Sequence, residues 1–163
     1  MIRLKVVAFS LIFIFLTVRI AAERTVVTSG STLLLPVDIA KIDVRGTAKS
    51  VRLRYRTLLS PQDVSESGGT ILVAKNKIGA ASFVSLHNPQ IPLRPREYAL
   101  RYRVVFGENP AVRFGADIIT VPAAVAAEKT AYAVVRVSKS GRTALIGLAD
   151  ANGTVLFKNR NAP

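Results

Sequence analysis

The sequence predicts a mainly β protein, a small antiparallel barrel or sandwich preceded by one N-terminal transmembrane helix. Three observations support this prediction. Residues 51–59 and 98–106 alternate apolar and polar side chains with a period of two, which is typical of half-buried strands. Short apolar runs separated by Gly, Pro, Ser and Asn recur along the rest of the chain. An apolar run also follows two basic residues at the N-terminus.

The first 22 residues, MIRLKVVAFSLIFIFLTVRIAA, predict a membrane location. Arg3 and Lys5 precede an apolar run over 6–18, and Arg19 follows it. The run is short for a helix that spans a bilayer with about 20 residues. However, Arg19 can extend its charged end to the interface, so the segment is still able to cross. We therefore expect residues 1–22 to be a membrane anchor.

A cleaved secretory signal is the alternative interpretation of this segment. Cleavage would fall near Ala22, although Ile20 is a poor residue for the small-residue pattern of such sites. In both cases the basic N-terminus stays in the cytoplasm. We expect residues 23–163 to form one exported β domain on the outer side of the membrane, and to be free and secreted if cleavage occurs.

Further strands are predicted where a short apolar run is bounded by turn residues. The predicted strands cover 31–36, 51–59, 70–74, 81–86, 98–106, 117–121, 132–138, 143–148 and 154–157. The sequence KSGR between 132–138 and 143–148 indicates the clearest hairpin. Residues 123–129 are the one stretch of this domain that predicts a short helix, and loops are expected at 60–69, 87–97 and 107–113.

The chain is strongly basic, with 23 Lys and Arg against 10 Asp and Glu and a net charge of +13. Residues 1–22 hold three of these bases and no acid, so the exported part keeps +10. Such a surface attracts polyanions. Because the domain is expected outside the cytoplasm, nucleic acid is not favoured as a partner. The favoured partners are integral membrane proteins with an acidic face and, second, the anionic lipid surface.

The candidate binding residues are arginines at every second position of two strands: Arg52, Arg54, Arg56, Arg101 and Arg103. Tyr55 and Tyr102 share the opposite, apolar face and are expected to be core aromatics with a bonded hydroxyl. If the two strands pair, the five arginines form one dense patch. Like charges directly opposite each other destabilise a sheet, so an acidic partner would relieve the repulsion. The alternative is a solvated face that only discourages edge aggregation.

Few residues suit catalysis or metal binding. The chain has no cysteine and one histidine, His87, which is expected at a strand end. No cofactor or metal is expected. An exported hydrolase resembling signal peptidases is the alternative function, with Ser50 and Lys49, or Ser138 or Ser140 and Lys139, as the Ser–Lys pair. These lysines are expected in solvated turns, whereas a lysine base must be desolvated. A non-enzymatic accessory or structural subunit is therefore favoured.

Three blocks of the sequence resemble the bacterial GDYXXLXY family. The first is PVD at 36–38 with DVRG at 43–46 and VRLRY at 51–55, similar to the family's P-V-D…R-G-D-Y-x-x-L-x-Y. The second, RFGADIITVP at 113–122, is similar to R-Y-G-x-E-x-Y-F-V-P. The third, VVRVSKSGRTALIGL at 134–148, is similar to the family's closing hairpin.

The resemblance implies a membrane-anchored, exported β domain without an assigned reaction, single-pass in a bacterial cytoplasmic membrane with the domain on the periplasmic or outer side. The chain departs from the family pattern after Gly46, where the Asp-Tyr pair is absent and TAKS at 47–50 indicates a longer loop. Any function of that aspartate would be lost here. Asp117 replaces the glutamate of the second block and keeps its charge.

Overall fold

The computed structural model describes residues 30–56, 67–106 and 111–159, which form ten β-strands. The predicted mainly β class is confirmed, as two antiparallel sheets, each curled into a half-barrel. The strands are β1 (Ser31–Arg45), β2 (Ala48–Tyr55), β3 (Gly68–Lys75), β4 (Ala81–Leu86), β5 (Glu97–Val105), β6 (Ala111–Arg113), β7 (Ile118–Pro122), β8 (Tyr132–Val137), β9 (Thr143–Ala149) and β10 (Val155–Lys158).

The six-stranded sheet has the order β10-β9-β8-β1-β2-β7 and is organised around the long strand β1. Residues 31–36 of β1 pair with β8, and residues 37–45 pair with β2. The ladder with β2 contains a bulge between Ile39 and Lys41. The bulge breaks the period of two, because it inserts one residue between successive inward positions. The predicted strand over 31–36 covers only the part of β1 that pairs with β8.

The four-stranded sheet has the order β4-β3-β5-β6. Strands β4 and β5 are both antiparallel to β3 and flank it, so the connection over 87–96 must return along the length of β3. Gly69 of β3 lies opposite Tyr102 of β5, and a Cβ at Gly69 would be 2.8 Å from the Tyr102 hydroxyl oxygen. The missing side chain of Gly69 therefore provides the space that the Tyr102 ring occupies.

The inward faces of both sheets share one hydrophobic cluster. Strands β2 and β5 contribute to it with the same alternation, since each buries every second residue. Complete burial of one such aliphatic side chain stabilises the fold by about 1.5–3 kcal/mol. The largest fully buried side chains are Phe114, Leu33, Leu35, Ile71, Leu100, Ile146, Leu148, Val37, Val51, Val73, Val121 and Val134.

The start of β1 is apolar on both faces. Leu33 and Leu35 enter the main cluster, whereas Leu34 enters a second cluster on the other side of the sheet. A continuous apolar run is typical of a strand that is covered on both sides. The second cluster is formed by Leu34, Ala80, Val134, Ile146 and Ala149.

Hydrogen bonds join the two sheets at two seams. On the β4 side, the Leu34 N–H donates to the Gly79 carbonyl at 2.9 Å. On the β6 side, the Tyr55 hydroxyl donates to the Ala116 carbonyl at 2.5 Å. These bonds satisfy groups that would otherwise lack partners where the sheets separate.

The predicted hairpin of the third block is confirmed as β8 and β9, paired antiparallel. Its turn is closed by the Ser138 N–H, which donates to the Arg142 carbonyl at 2.9 Å. Gly141 has a φ of +78°, a left-handed conformation that glycine adopts at low energetic cost.

The predicted helix over 123–129 is wrong, because only a 3-10 turn forms, at Ala127–Lys129. The Ala123 N–H and the Val125 carbonyl make hydrogen bonds to the β1–β2 hairpin, the latter with Lys49 Nζ at 2.9 Å. These backbone groups are therefore not used in helical bonds. A segment this short also cannot stabilise an α-helix by itself.

Two predicted loops are also corrected. The expected loop over 107–113 contains β6, which is too short to show a periodic pattern. The expected long loop after Gly46 is a two-residue turn of Gly46 and Thr47, because β2 already begins at Ala48. Gly46 has a φ of +58°, as tight hairpin turns require.

The predicted anchor over 1–22 lies outside the described residues. Within the ranges that are described, no helix has the length and apolar character needed to cross a bilayer. The transmembrane part of the predicted fold class therefore stays a prediction.

We predict that Gly147→Ala weakens the attachment of β10. A Cβ at Gly147 would overlap the backbone carbonyl oxygen of Phe157, so β10 must shift. We expect the free energy of unfolding, measured by urea denaturation in mild detergent, to fall by about 1–3 kcal/mol. Amide exchange in β10 should accelerate most.

The matched control is Gly46→Asn, at a turn where an added Cβ would meet no other atom within 4 Å and where asparagine tolerates the backbone conformation. Equal stability of Gly147→Ala and Gly46→Asn would contradict the packing argument.

Candidate functional site

The β2 arginine row consists of Arg52 and Arg54 of β2 and of Arg56, which directly follows the strand. Arg52 and Arg54 are exposed, and they alternate with buried Val51, Leu53 and Tyr55. The apolar side chains enter the core between the sheets, so the arginines must point away from it. The row therefore lies on the outer face of the six-stranded sheet.

Neighbouring strand β1 adds charges to this face. Lys41 is the ladder partner of Arg52, and Asp38 is the partner of Arg54. Arg56 Nε lies 2.8 Å from Asp38 Oδ1, and both side chains are more than half exposed. Such an exposed pair contributes at most about 1 kcal/mol.

The outer face of the β1–β2 hairpin thus holds more bases than acids. Lys41 Nζ lies 2.8 Å from Asp43 Oδ1. This hydrogen bond, with the positive charges of Arg45 and Arg52, holds the pKa of Asp43 below its ordinary range. Asp43 therefore stays ionised at neutral pH, and the face keeps a net charge of +3. Its charged residues are Asp38, Lys41, Asp43, Arg45, Arg52, Arg54 and Arg56.

The β5 arginine row consists of Arg101 and Arg103, on the outer face of the four-stranded sheet. Both side chains are exposed and alternate with buried residues. Arg103 is the ladder partner of Arg113, which is a like-charge pair across two strands. Arg113 Nη1 lies 3.3 Å from Asp117 Oδ2, so one carboxylate offsets part of the repulsion. The Arg101 N–H donates to the Gly141 carbonyl at 2.9 Å, which ties β5 to the β8–β9 turn.

The expected single patch of five arginines is not formed by strand pairing. β2 pairs with β1 and β7, whereas β5 pairs with β3 and β6, so the two rows belong to different sheets. Because the inward faces of both sheets share one core, the two rows face outward on opposite sides. Sequence reasoning missed Lys41, Arg45 and Arg113, since only strand pairing places them beside the rows.

Tyr55 is a core aromatic with a bonded hydroxyl, as expected. Its ring meets Phe114 edge to face, with centroids 5.7 Å apart and planes at 83°. Its hydroxyl donates to the Ala116 carbonyl. Burial, and to a lesser extent the negative charge of Asp117, raises the pKa of Tyr55 above its ordinary value.

The structure does not bring the first Ser–Lys pair together. Lys49 and Ser50 are adjacent in β2, so their side chains point to opposite faces of the sheet. Lys49 Nζ donates to the Val125 carbonyl. In the β8–β9 turn, Ser138 Oγ lies 2.9 Å from Ser140 Oγ and accepts from the Arg142 N–H, while Lys139 is exposed.

His87 lies directly after β4, as expected for a strand end, and its N–H donates to the Thr70 carbonyl at 3.0 Å. Among the described residues, no three His, Asp or Glu side chains come close enough together to hold a metal ion.

No protein-family model, curated protein or solved structure matches this chain. The resemblance to the GDYXXLXY family, which depends on three blocks of sequence, therefore stays a prediction.

We predict that Tyr55→Phe lowers stability and weakens its dependence on alkaline pH. Loss of the hydroxyl removes the hydrogen bond to the carbonyl of Ala116, an exposed residue, which costs about 0.5–1.5 kcal/mol. In the wild type the raised pKa keeps the phenol protonated in the folded state, while the unfolded state ionises above about pH 10. The folded state then binds more protons, so stability is lost as pH rises.

The measurement is the free energy of unfolding between neutral pH and about pH 11. Where the Tyr55 phenol is ionised in the unfolded state and protonated in the folded state, the free energy of unfolding falls by about 1.4 kcal/mol per pH unit. The two curves should converge above about pH 10. Tyr132→Phe, which removes a phenol from a half-buried position, is the control. Parallel curves for wild type and Tyr55→Phe would show that the folded state does not keep the Tyr55 phenol protonated at alkaline pH.

We also predict that Arg103→Thr stabilises the fold, because it removes the like charge opposite Arg113. The expected gain is about 0.2–1 kcal/mol at low salt and less at high salt. Arg101→Thr is the matched control, since Arg101 lies opposite Thr70. If both variants change the thermal midpoint equally, the cross-strand repulsion does not affect stability.

Proposed function

We propose that this chain is a non-enzymatic accessory or structural subunit of a bacterial envelope membrane. In this proposal the β domain docks on the acidic surface of an integral membrane protein through the β2 arginine row, with the β5 arginine row available for a second contact. The N-terminal apolar segment and the basic excess of residues 23–163 support the location and the acidic nature of the partner.

One observation carries the proposal: both sheets place cations opposite cations on their outer faces. Lys41 lies opposite Arg52, and Arg103 lies opposite Arg113. Such pairs destabilise an isolated sheet. Carboxylates of a partner would relieve the repulsion and add electrostatic attraction during encounter.

The position of the cations favours a protein over a flat anionic surface as the partner of the rows. All five row residues are arginine, whose planar guanidinium forms paired hydrogen bonds to carboxylates and to phosphates alike. The rows, however, face outward on opposite sides of the shared core, so a flat surface can contact only one of them, whereas separate protein surfaces can contact both.

The test is retention of membrane partners by a C-terminally tagged full chain in mild detergent, quantified by mass spectrometry. Arg52→Thr with Arg54→Thr should lower retention roughly 3- to 10-fold, because two interfacial ion pairs are lost. Threonine preserves strand propensity. Lys139→Thr with Lys158→Thr removes the same charge from exposed positions elsewhere and should retain partners like wild type.

Equal retention by the row variant and the control would contradict the proposal. The same spectra read the mature N-terminus. An intact Met1 together with stoichiometric membrane proteins fits an anchored subunit, whereas a chain that starts near Glu23 and comes down alone fits a free exported domain.

A further inference from the structure

The exposed large apolar side chains of the described residues are concentrated in one stretch of the chain, β4 and the segments on either side of it. We name this surface the apolar edge; it comprises Ile78, Phe83, Val84, Leu86, Ile91 and Leu93. It holds six of the eleven exposed large hydrophobics of the described chain. Phe83, Val84 and Leu86 lie in β4, an outermost strand of the four-stranded sheet. Ile78 lies in the turn before β4, and Ile91 and Leu93 lie in the connection that follows it. A cluster of this kind marks an interaction surface.

The apolar edge continues the inner layer of the four-stranded sheet. Phe83 is the ladder partner of Val73, and Leu86 is the partner of Ile71. Val73 and Ile71 are completely buried, whereas Phe83 and Leu86 are 38% and 59% exposed. The apolar layer therefore extends beyond the part of the core that the six-stranded sheet covers.

The charged residues within 67–96 have a single sign. Residues 78–93 contain no Asp, Glu, Lys or Arg, although 20% of the chain is charged. Residues 67–96 contain no acid. The exposed bases Lys77, Arg94 and Arg96 flank residues 78–93 in the sequence. The nearest acid in sequence is Glu97, whose carboxylate accepts the backbone N–H of Arg94 at 2.8 Å.

We propose that the apolar edge inserts into the interface of a bilayer that contains anionic lipids, with Lys77, Arg94 and Arg96 on the headgroups. A bilayer interface places an apolar phase directly beside negative charge, which matches this arrangement of side chains. The proposal goes beyond the proposed function, because it concerns a second surface and a lipid ligand and does not depend on the arginine rows.

Two observations favour lipid over a second copy of the chain. A β4-to-β4 contact would bring two sets of three exposed bases together without an acid in residues 67–96 to compensate them. The ladder of β4 with β3 also contains a bulge, at Val84 between Phe83 and Ser85. A bulge disrupts the regular edge that another strand would need for pairing.

The absence of tryptophan from the chain permits a local fluorescent reporter. Ile91→Trp places one indole in the apolar edge, and Val155→Trp places one at a comparably exposed site in β10; the two native side chains are 61% and 49% exposed. The full chain carrying either change is reconstituted in phosphatidylcholine vesicles, with or without phosphatidylglycerol, whose acyl chains are brominated. The indole reports only its own surroundings in the β domain, even if residues 1–22 hold the chain in the vesicle membrane.

With phosphatidylglycerol, we expect Ile91→Trp emission to shift to shorter wavelength and to be quenched by bromine several-fold more than Val155→Trp emission. Without it, the quenching should fall. Adding Lys77→Gln and Arg94→Gln should lower the quenching in the same way, whereas adding Arg52→Thr and Arg54→Thr should leave it unchanged. Failure of the lipid contact is thereby separated from failure of the arginine rows.

Three outcomes would overturn the proposal. Equal quenching at both positions would show that the apolar edge has no special contact with lipid. A shift without bromine quenching would assign the edge to a protein contact, including a second copy. Quenching that does not depend on phosphatidylglycerol or on Lys77 and Arg94 would remove the role of anionic lipid.

Discussion

Burial of alternate side chains of β2 and β5 in one core is the constraint on which the surface of this protein depends. The repeated sequence LRYR places a leucine and a tyrosine of each strand in the same cluster. Since successive side chains of a strand point to opposite faces, the arginines between them must then face solvent. This alternation of buried and exposed side chains occurs once in each sheet, and it produces two cationic faces that point away from each other.

The arrangement of charge is not what stability alone would favour. Lys41 opposite Arg52 and Arg103 opposite Arg113 are like-charge pairs, whereas exposed ion pairs such as Arg56 with Asp38 contribute little. The fold tolerates this repulsion because burial of apolar side chains in the shared core is the dominant favourable contribution to folding. The like-charge pairs are the basis of the proposed binding role.

The apolar edge and the arginine rows suit different partners. The rows present guanidinium groups on sheet faces, a geometry that suits the carboxylates of another protein. The apolar edge presents aliphatic and aromatic groups at the margin of one sheet, bordered by bases. If both proposals hold, the domain would contact the bilayer through an edge while its faces stay available for neighbouring proteins.

The sequence by itself determined the strand-rich class, most strand positions, the β8–β9 hairpin and the outward direction of each arginine, because these follow from local periodicity and turn chemistry. It did not reveal the full length of β1, where a bulge breaks the alternation, nor β6, which is too short for a period. Only the tertiary structure decided that β2 and β5 lie in different sheets, which separates the arginine rows. Only it placed Lys41 and Arg113 beside them and left β4 at an edge. The physical reason is that strand pairing depends on contacts between distant segments, and alternation within one segment carries no information about its neighbour.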